Sequence, residues 1–181
     1  RRDLCGREPW PFTDKFFDFS ICSHTLEDLR DPLFVCSELV RVSKRGYIEV
    51  PSRLLETCRG QEDPAIAGLS HHRWLVERRQ DHLSFTPKYH LIHDDQLSFP
   101  SWYLRLIPES ERLICFFWEG SFTISETTIH GAEKVRASLR SFVEQHTFPG
   151  TATRNWARLQ DGLGSLRRRG RQALSAFRRS H

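Results

Sequence analysis

The chain has 181 residues, 38% of them hydrophobic and 28% charged, with a formal net charge of +4; this is the make-up of a soluble globular protein with room for one domain, or one domain and a tail. No apolar run approaches the length of a membrane span, and no charged start with an apolar middle marks a signal peptide. The five cysteines, Cys5, Cys22, Cys36, Cys58 and Cys115, are odd in number and include no CxxC pair, which excludes a zinc knuckle or a disulfide framework as the starting hypothesis and places the chain in a reducing, cytoplasmic setting.

The chain contains no methionine and begins Arg1-Arg2, so the expectation is that residue 1 is not the biological start and that upstream sequence is missing. Phe12-Thr13-Asp14-Lys15 reads as a turn. Phe16 to Cys22 is an apolar, aromatic-rich run of strand length, expected to be buried on both faces as in a parallel sheet. Asp31-Pro32 is a helix start, with Asp31 able to accept a bond from a free amide and Pro32 suited to the first helical position. The helix is predicted to run to about Ser43, with Leu33, Cys36, Leu39 and Val40 on its apolar face. Lys44-Arg45-Gly46 supplies cationic charge and a glycine stop. Tyr47 to Val50 is a short strand closed by Pro51, which completes a βαβ unit.

Residues 52–72 read as irregular. Trp74 to Glu77 and His82 to Phe85 form a small predicted hairpin across Arg78-Arg79-Gln80-Asp81. Thr86-Pro87 is read as capping a short helix through Ile92. Leu113 to Trp118 and Ser121 to Ser125 are expected to pair as an antiparallel hairpin around Glu119-Gly120. Val135, Leu139, Phe142 and Val143 mark one face of a helix from about Ala132 to Gln145. From Pro149 on, apolar content thins.

Residues 167–181 carry six of the 27 basic residues and no acid, which leaves 21 bases against 23 acids and a net charge of about −2 for the rest. The basic tail is able to touch nucleic acid or an anionic surface; a solvated terminus is the plainer reading. The arginines lie in the tail and the aromatics in strands, which argues against a nucleic-acid platform.

Asp3-Leu4, Trp10-Pro11-Phe12-Thr13-Asp14, Phe17-Asp18, Cys22-Ser23-His24, Leu26-Glu27 and Asp31-Pro32 follow one another in an order and spacing that resembles the middle of a class I S-adenosyl-L-methionine-dependent methyltransferase of the type 11 group. Trp10 stands where the family pattern has Leu, and Asp28 where it has a final His. The following helix and Gly46-Tyr47-Ile48-Glu49-Val50-Pro51 extend the similarity over residues 3–51. The resemblance implies a partial Rossmann-like α/β sheet with strands in the order 4-5-7-6, the last-formed strand antiparallel, flanking helices and a small inserted hairpin. It implies a partial methyltransferase domain over residues 1–148, with residues 52–110 an acceptor-side insertion, followed by the basic tail, 149–181. The family's glycine-rich cofactor loop has no counterpart in this sequence, so the chain is expected to hold the C-terminal part of the fold and to bind S-adenosyl-L-methionine weakly or not at all.

In such sheets the ligand lies beyond the carboxyl ends of the strands, which makes Ser23 and His24 rim residues. His24 is the first candidate for touching cofactor or acceptor and for taking an acceptor proton; a capping or supporting hydrogen bond is its alternative. Glu27 is the second catalytic candidate, with a solvated acid as its alternative. By resemblance Asp3 accepts the adenine amino group and the Leu4 amide meets the ring. His71, His72 and Tyr89 are acceptor-side candidates, for a small-molecule or glycan acceptor; otherwise Tyr89 joins Trp74 and Phe85 in a core under the hairpin. His71, His72, His82, His90, His93 and Asp94 are also the types that gather a metal, with His90 and His93 on one helix face, but no H-E-x-x-H spacing is present and no metal is assigned. Two other classes remain open: a non-catalytic binding module of the same fold, and a metal-dependent hydrolase using the His-rich middle.

Overall fold

The computed structural model describes residues 3–146 and 159; the basic tail read from the sequence lies otherwise outside the described residues. The chain order is β1 (Ser20–Ser23), α1 (Pro32–Val42), β2 (Arg45–Pro51), α2 (Arg53–Glu56), β3 (Trp74–Arg79), β4 (His82–Pro87), two 3-10 turns at His90–His93 and Ser101–Arg105, α3 (Glu109–Arg112), β5 (Leu113–Glu119), β6 (Thr123–Glu126) and α4 (Ala132–Gln145). No helix among the described residues is long and apolar enough to cross a membrane.

The strands form two three-stranded sheets, β1-β2-β5 and β3-β4-β6. In the first, β1 and β2 run parallel and β5 is antiparallel to β2, so that Ile21, Tyr47 and Phe117 lie abreast. In the second, β3 and β4 make the expected hairpin, turned at Gln80-Asp81 with Gln80 in the left-handed region, and β6 lies parallel to β4. The two sheets and α1 share the main core, which contains Cys22, Ile48 and Phe116 from the first sheet, Val76 and Phe85 from the second, and Val35 and Leu39 from the helix. A buried methylene contributes about 0.8 kcal/mol, so this shared layer dominates the stability.

α1 starts as the sequence dictates. The Asp31 side chain accepts the Phe34 amide at 3.0 Å, and Pro32 needs no donor at the first turn. Its buried face is rotated from the expected one, with Val35, Cys36, Leu39 and Val42 inside and Leu33 and Val40 only partly covered. The N-terminal segment lies along the newly covered flank. Arg7 pairs with Asp31, and the Trp10 amide donates to Glu38, which is thereby buried on what would be an outer flank.

Several expectations are corrected. The first strand is shorter than Phe16 to Cys22, and it is open on one face: Ile21 is 71% exposed, and Phe16 and Phe19 are exposed too. Phe12 and Phe16 instead stack, and Phe17 meets both edge-on, with centroids 4.7–5.6 Å apart. The helix ends at Val42 with Ser43 its C-cap, as expected, but Gly46 is not its stop: it belongs to β2, where a Cβ would lie 2.8 Å from the Trp118 ring and 2.7 Å from the Ser20 carbonyl. The expected four-strand order is broken, because β5 and β6 do not pair. Phe122 packs edge-on against Phe116 and beside Trp118, and the chain crosses from one sheet to the other to join β4. The helix expected after Thr86-Pro87 is a continuation of β4 to Pro87 and one 3-10 turn at His90–His93, with no side chain capping it. Ser52, in the stretch read as irregular, caps α2 through the Leu55 amide.

Candidate functional site

β1 and β2 end side by side, and their last residues build one polar rim. The Ser23 hydroxyl donates to Glu49 at 2.9 Å, and the His24 amide extends the parallel ladder to the Glu49 carbonyl at 2.9 Å. His24 then turns out of the sheet with φ +46, a conformation that a non-glycine residue adopts only where its surroundings hold it. Its ring bridges two carboxylates, with Nε2 3.3 Å from Glu49 and Nδ1 3.5 Å from Glu27. Glu49 is held below the usual carboxylate range by hydrogen bonds from Tyr47 and Ser23.

Glu27 differs from Glu49. It is 1% exposed, and neither carboxylate oxygen has a hydrogen-bond partner. Burial pushes its carboxyl above the usual range, against the opposing pull of its own amide and of His72. The solvated-acid alternative for Glu27 is therefore corrected: it faces the interior end of the rim.

The loop before β3 folds onto this rim. The Arg73 amide donates to the Glu27 carbonyl at 2.7 Å, and the Lys88 amide to the Arg73 carbonyl at 2.8 Å. His72 is thereby buried, with its side chain 5% exposed, and its Nδ1 lies 2.9 Å from Glu56. Glu56, itself 1% exposed, also takes the Lys88 ammonium at 2.8 Å. Burial pulls the His72 imidazolium down, but the Glu56 hydrogen bond and charge outweigh it and leave its pKa raised. Gly68 leaves room for this buried pair: its φ is +65, and a Cβ there would lie 2.2 Å from Glu56 Oε2 and 2.5 Å from Lys88 Nζ.

On the open side of His72, Asp28 Oδ1 lies 3.9 Å from His72 Nε2 and 3.8 Å from His71 Nε2. The two imidazole rings meet edge to face. A cavity of about 260 Å³ is lined by His24, Glu27, Asp28, Glu56, His71 and His72. A second, of about 490 Å³, lies on the far side of His71 and His72 and reaches Lys88, His90 and His93.

The structure thus brings together five of the residues named from the sequence: Ser23, His24, Glu27, His71 and His72. It leaves three elsewhere. Asp3 is exposed and accepts the Cys5 amide in a local turn, and Leu4 packs against the main core. The Tyr89 hydroxyl accepts the Ile129 amide at 2.7 Å within a separate apolar cluster. The His90, His93 and Asp94 grouping does not form: His93 Nδ1 accepts the Ala67 amide, and Asp94 takes the Gln96 amide and Arg136. His82 is bonded to Thr123 and Ser125 between β4 and β6. Sequence reasoning missed Glu49, Asp28, Glu56 and Lys88 as site residues. The available signals were an acid at the end of an apolar strand for Glu49 and the departure from the family's His at position 28.

No family model matches the chain, and none of the curated proteins or solved structures matches it.

Proposed function

We propose that residues 3–146 form the acceptor side of an S-adenosyl-L-methionine-dependent methyltransferase acting on a small hydroxylated or glycan-type molecule. The observation that carries the reading is His24, held between Glu27 and Glu49 at the carboxyl end of a parallel strand whose other edge has no strand partner among the described residues. Of the order that the resemblance implies, the parallel β1-β2 pair is present, but β5 takes the place beside β2 that the order gives to the last-formed strand. The fourth strand departs from it too, which limits the likeness to the parallel pair.

The described residues do not make a complete cofactor pocket. Ser23 and His24 stand on the rim; Asp3 and Leu4 do not line the cavity, and the sequence has no glycine-rich loop. The cofactor would supply a methyl group on a sulfonium, open to in-line attack. The chain's own part is then to hold the acceptor in line and to take its proton. In that role His24 would take the proton of the acceptor hydroxyl. Glu27 and Glu49 stabilise the imidazolium that results.

Transfer of labelled methyl from S-adenosyl-L-methionine to a panel of hydroxylated metabolites and glycans, by the natural protein and its His24→Ala variant, tests the reading. A general base is worth about 10²–10⁴-fold, and a kcat loss in that range is expected. Transfer at an equal rate by the variant, or none by the wild type, favours a binding module instead.

A further inference from the structure

We propose that Asp28, His71 and His72 bind a divalent transition-metal ion, with zinc the best fit, at the wall of the 260 Å³ cavity. The inference is independent of the methyl-transfer reading. The ligand atoms are Asp28 Oδ1 and the two imidazole nitrogens, and all lie within 4.8 Å of one another. Around a tetrahedral zinc with bonds of about 2.0–2.1 Å, such atoms sit about 3.4 Å apart. Asp28 stands 3.8 Å and 3.9 Å from the two histidines, so a small rotation of two exposed side chains, Asp28 and His71, closes the set. A mixed nitrogen and oxygen set suits zinc rather than magnesium or calcium, which demand oxygens.

Two further observations point to a cation. The first is the support behind His72. Glu56 lies 2.9 Å from its Nδ1, and a carboxylate there accepts from that nitrogen, which leaves Nε2 facing Asp28. A carboxylate behind an imidazole is the usual arrangement behind a metal-bound histidine, where it fixes the tautomer and raises basicity. Lys88 in turn fixes Glu56 from the other side, so the orientation is built into the interior rather than left to a surface side chain.

The second is Glu27. It lines the same cavity, is 1% exposed, and has two carboxylate oxygens without a hydrogen bond. A buried carboxylate that accepts no hydrogen bond is costly even with His24 at 3.5 Å. A divalent ion at the neighbouring residue adds positive charge, and a water on that ion supplies the missing donor. Three protein ligands leave a fourth position directed at the cavity, which is the pattern of a site that binds a water or a ligand oxygen rather than a closed structural site.

The test is zinc titration of the untagged, chelator-stripped full chain by calorimetry, with cobalt(II) as a spectroscopic stand-in. One ion per chain is expected, with the visible absorption of a tetrahedral cobalt centre. Asp28→Asn and His71→Ala change exposed side chains and leave the fold intact by circular dichroism; each should weaken zinc binding at least about 30-fold. Glu56→Gln should weaken it about 10–100-fold, as loss of a supporting carboxylate does. A double variant, His90→Ala with His93→Ala, should bind as the wild type. The proposal is overturned if the wild type shows no saturable binding, if Asp28→Asn and His71→Ala bind unchanged, or if binding is lost instead in the His90 and His93 variant. Because the readouts are zinc affinity and cobalt absorption, this result and that of the methyl-transfer assay can fail separately.

Discussion

Glu27 lies on the loop between β1 and α1 with both carboxylate oxygens unbonded, and burial raises its pKa above the ordinary 4.5. A carboxyl whose folded pKa exceeds its unfolded one binds more protons when folded over that interval. Its destabilising effect is absent below the unfolded value and grows as pH rises through the folded one. His72 acts in the same direction. Its raised pKa gives stability that is complete below the ordinary 6.5 and is lost as pH rises through the folded value. The metal-free protein is therefore expected to lose stability from mildly acid to alkaline pH. In the chelator-treated protein, Glu27→Gln should raise the thermal midpoint by about 2–4 °C at about pH 8 and leave it unchanged at about pH 3, where the acid is itself neutral. Melting curves at the two pH values check this, and an equal gain at both would mean that charge burial is not the cause.

At the scale of elements, local chemistry was legible and remote pairing was not. The start of α1 at Asp31-Pro32, the β3–β4 hairpin and α4 with Val135 and Leu139 inward all follow from caps, alternation and helical spacing within a few residues. The partner of β6 depends on where Phe122 finds its cavity, against Phe116 and Trp118, and no local pattern encodes that. The aromatic run from Phe16 reads as a doubly buried strand because composition does not report which face a neighbour covers. The site divides in the same way. His24 and Glu27 were visible through the resemblance and His71-His72 as a pair, whereas Asp28 and Glu56 gain their roles only when the loop at Gly68 brings His72 over the rim. Gly46 was read as a helix stop, but it is a contact between strands. Gly46→Ala places a Cβ 2.6–2.8 Å from Ser20 and Trp118, and overpacking of this kind costs about 1–3 kcal/mol. Urea unfolding should show that loss, while α1 helicity is retained; an unchanged midpoint would mean that β1 and β5 shift apart freely.

Across the whole molecule, the two sheets clasp one core and leave the far face of the first sheet bare. Ile21 and Phe117 are 71% and 69% exposed on either side of Tyr47, on a sheet whose β1 edge has no strand partner among the described residues. Parallel strand pairs are almost always covered on both faces, and this one is open on one. The polar rim stands at the carboxyl end of the same strands. It carries His24, two acids and a histidine pair, but, among the described residues, none of the bare backbone that lets a nucleotide approach a helix N-terminus. Under the proposed function the chain would contribute to the acceptor side and bind the cofactor weakly or not at all. Calorimetric titration of S-adenosyl-L-methionine into the 181-residue chain measures that binding directly. No saturable heat in the micromolar range is predicted, and micromolar binding would contradict it.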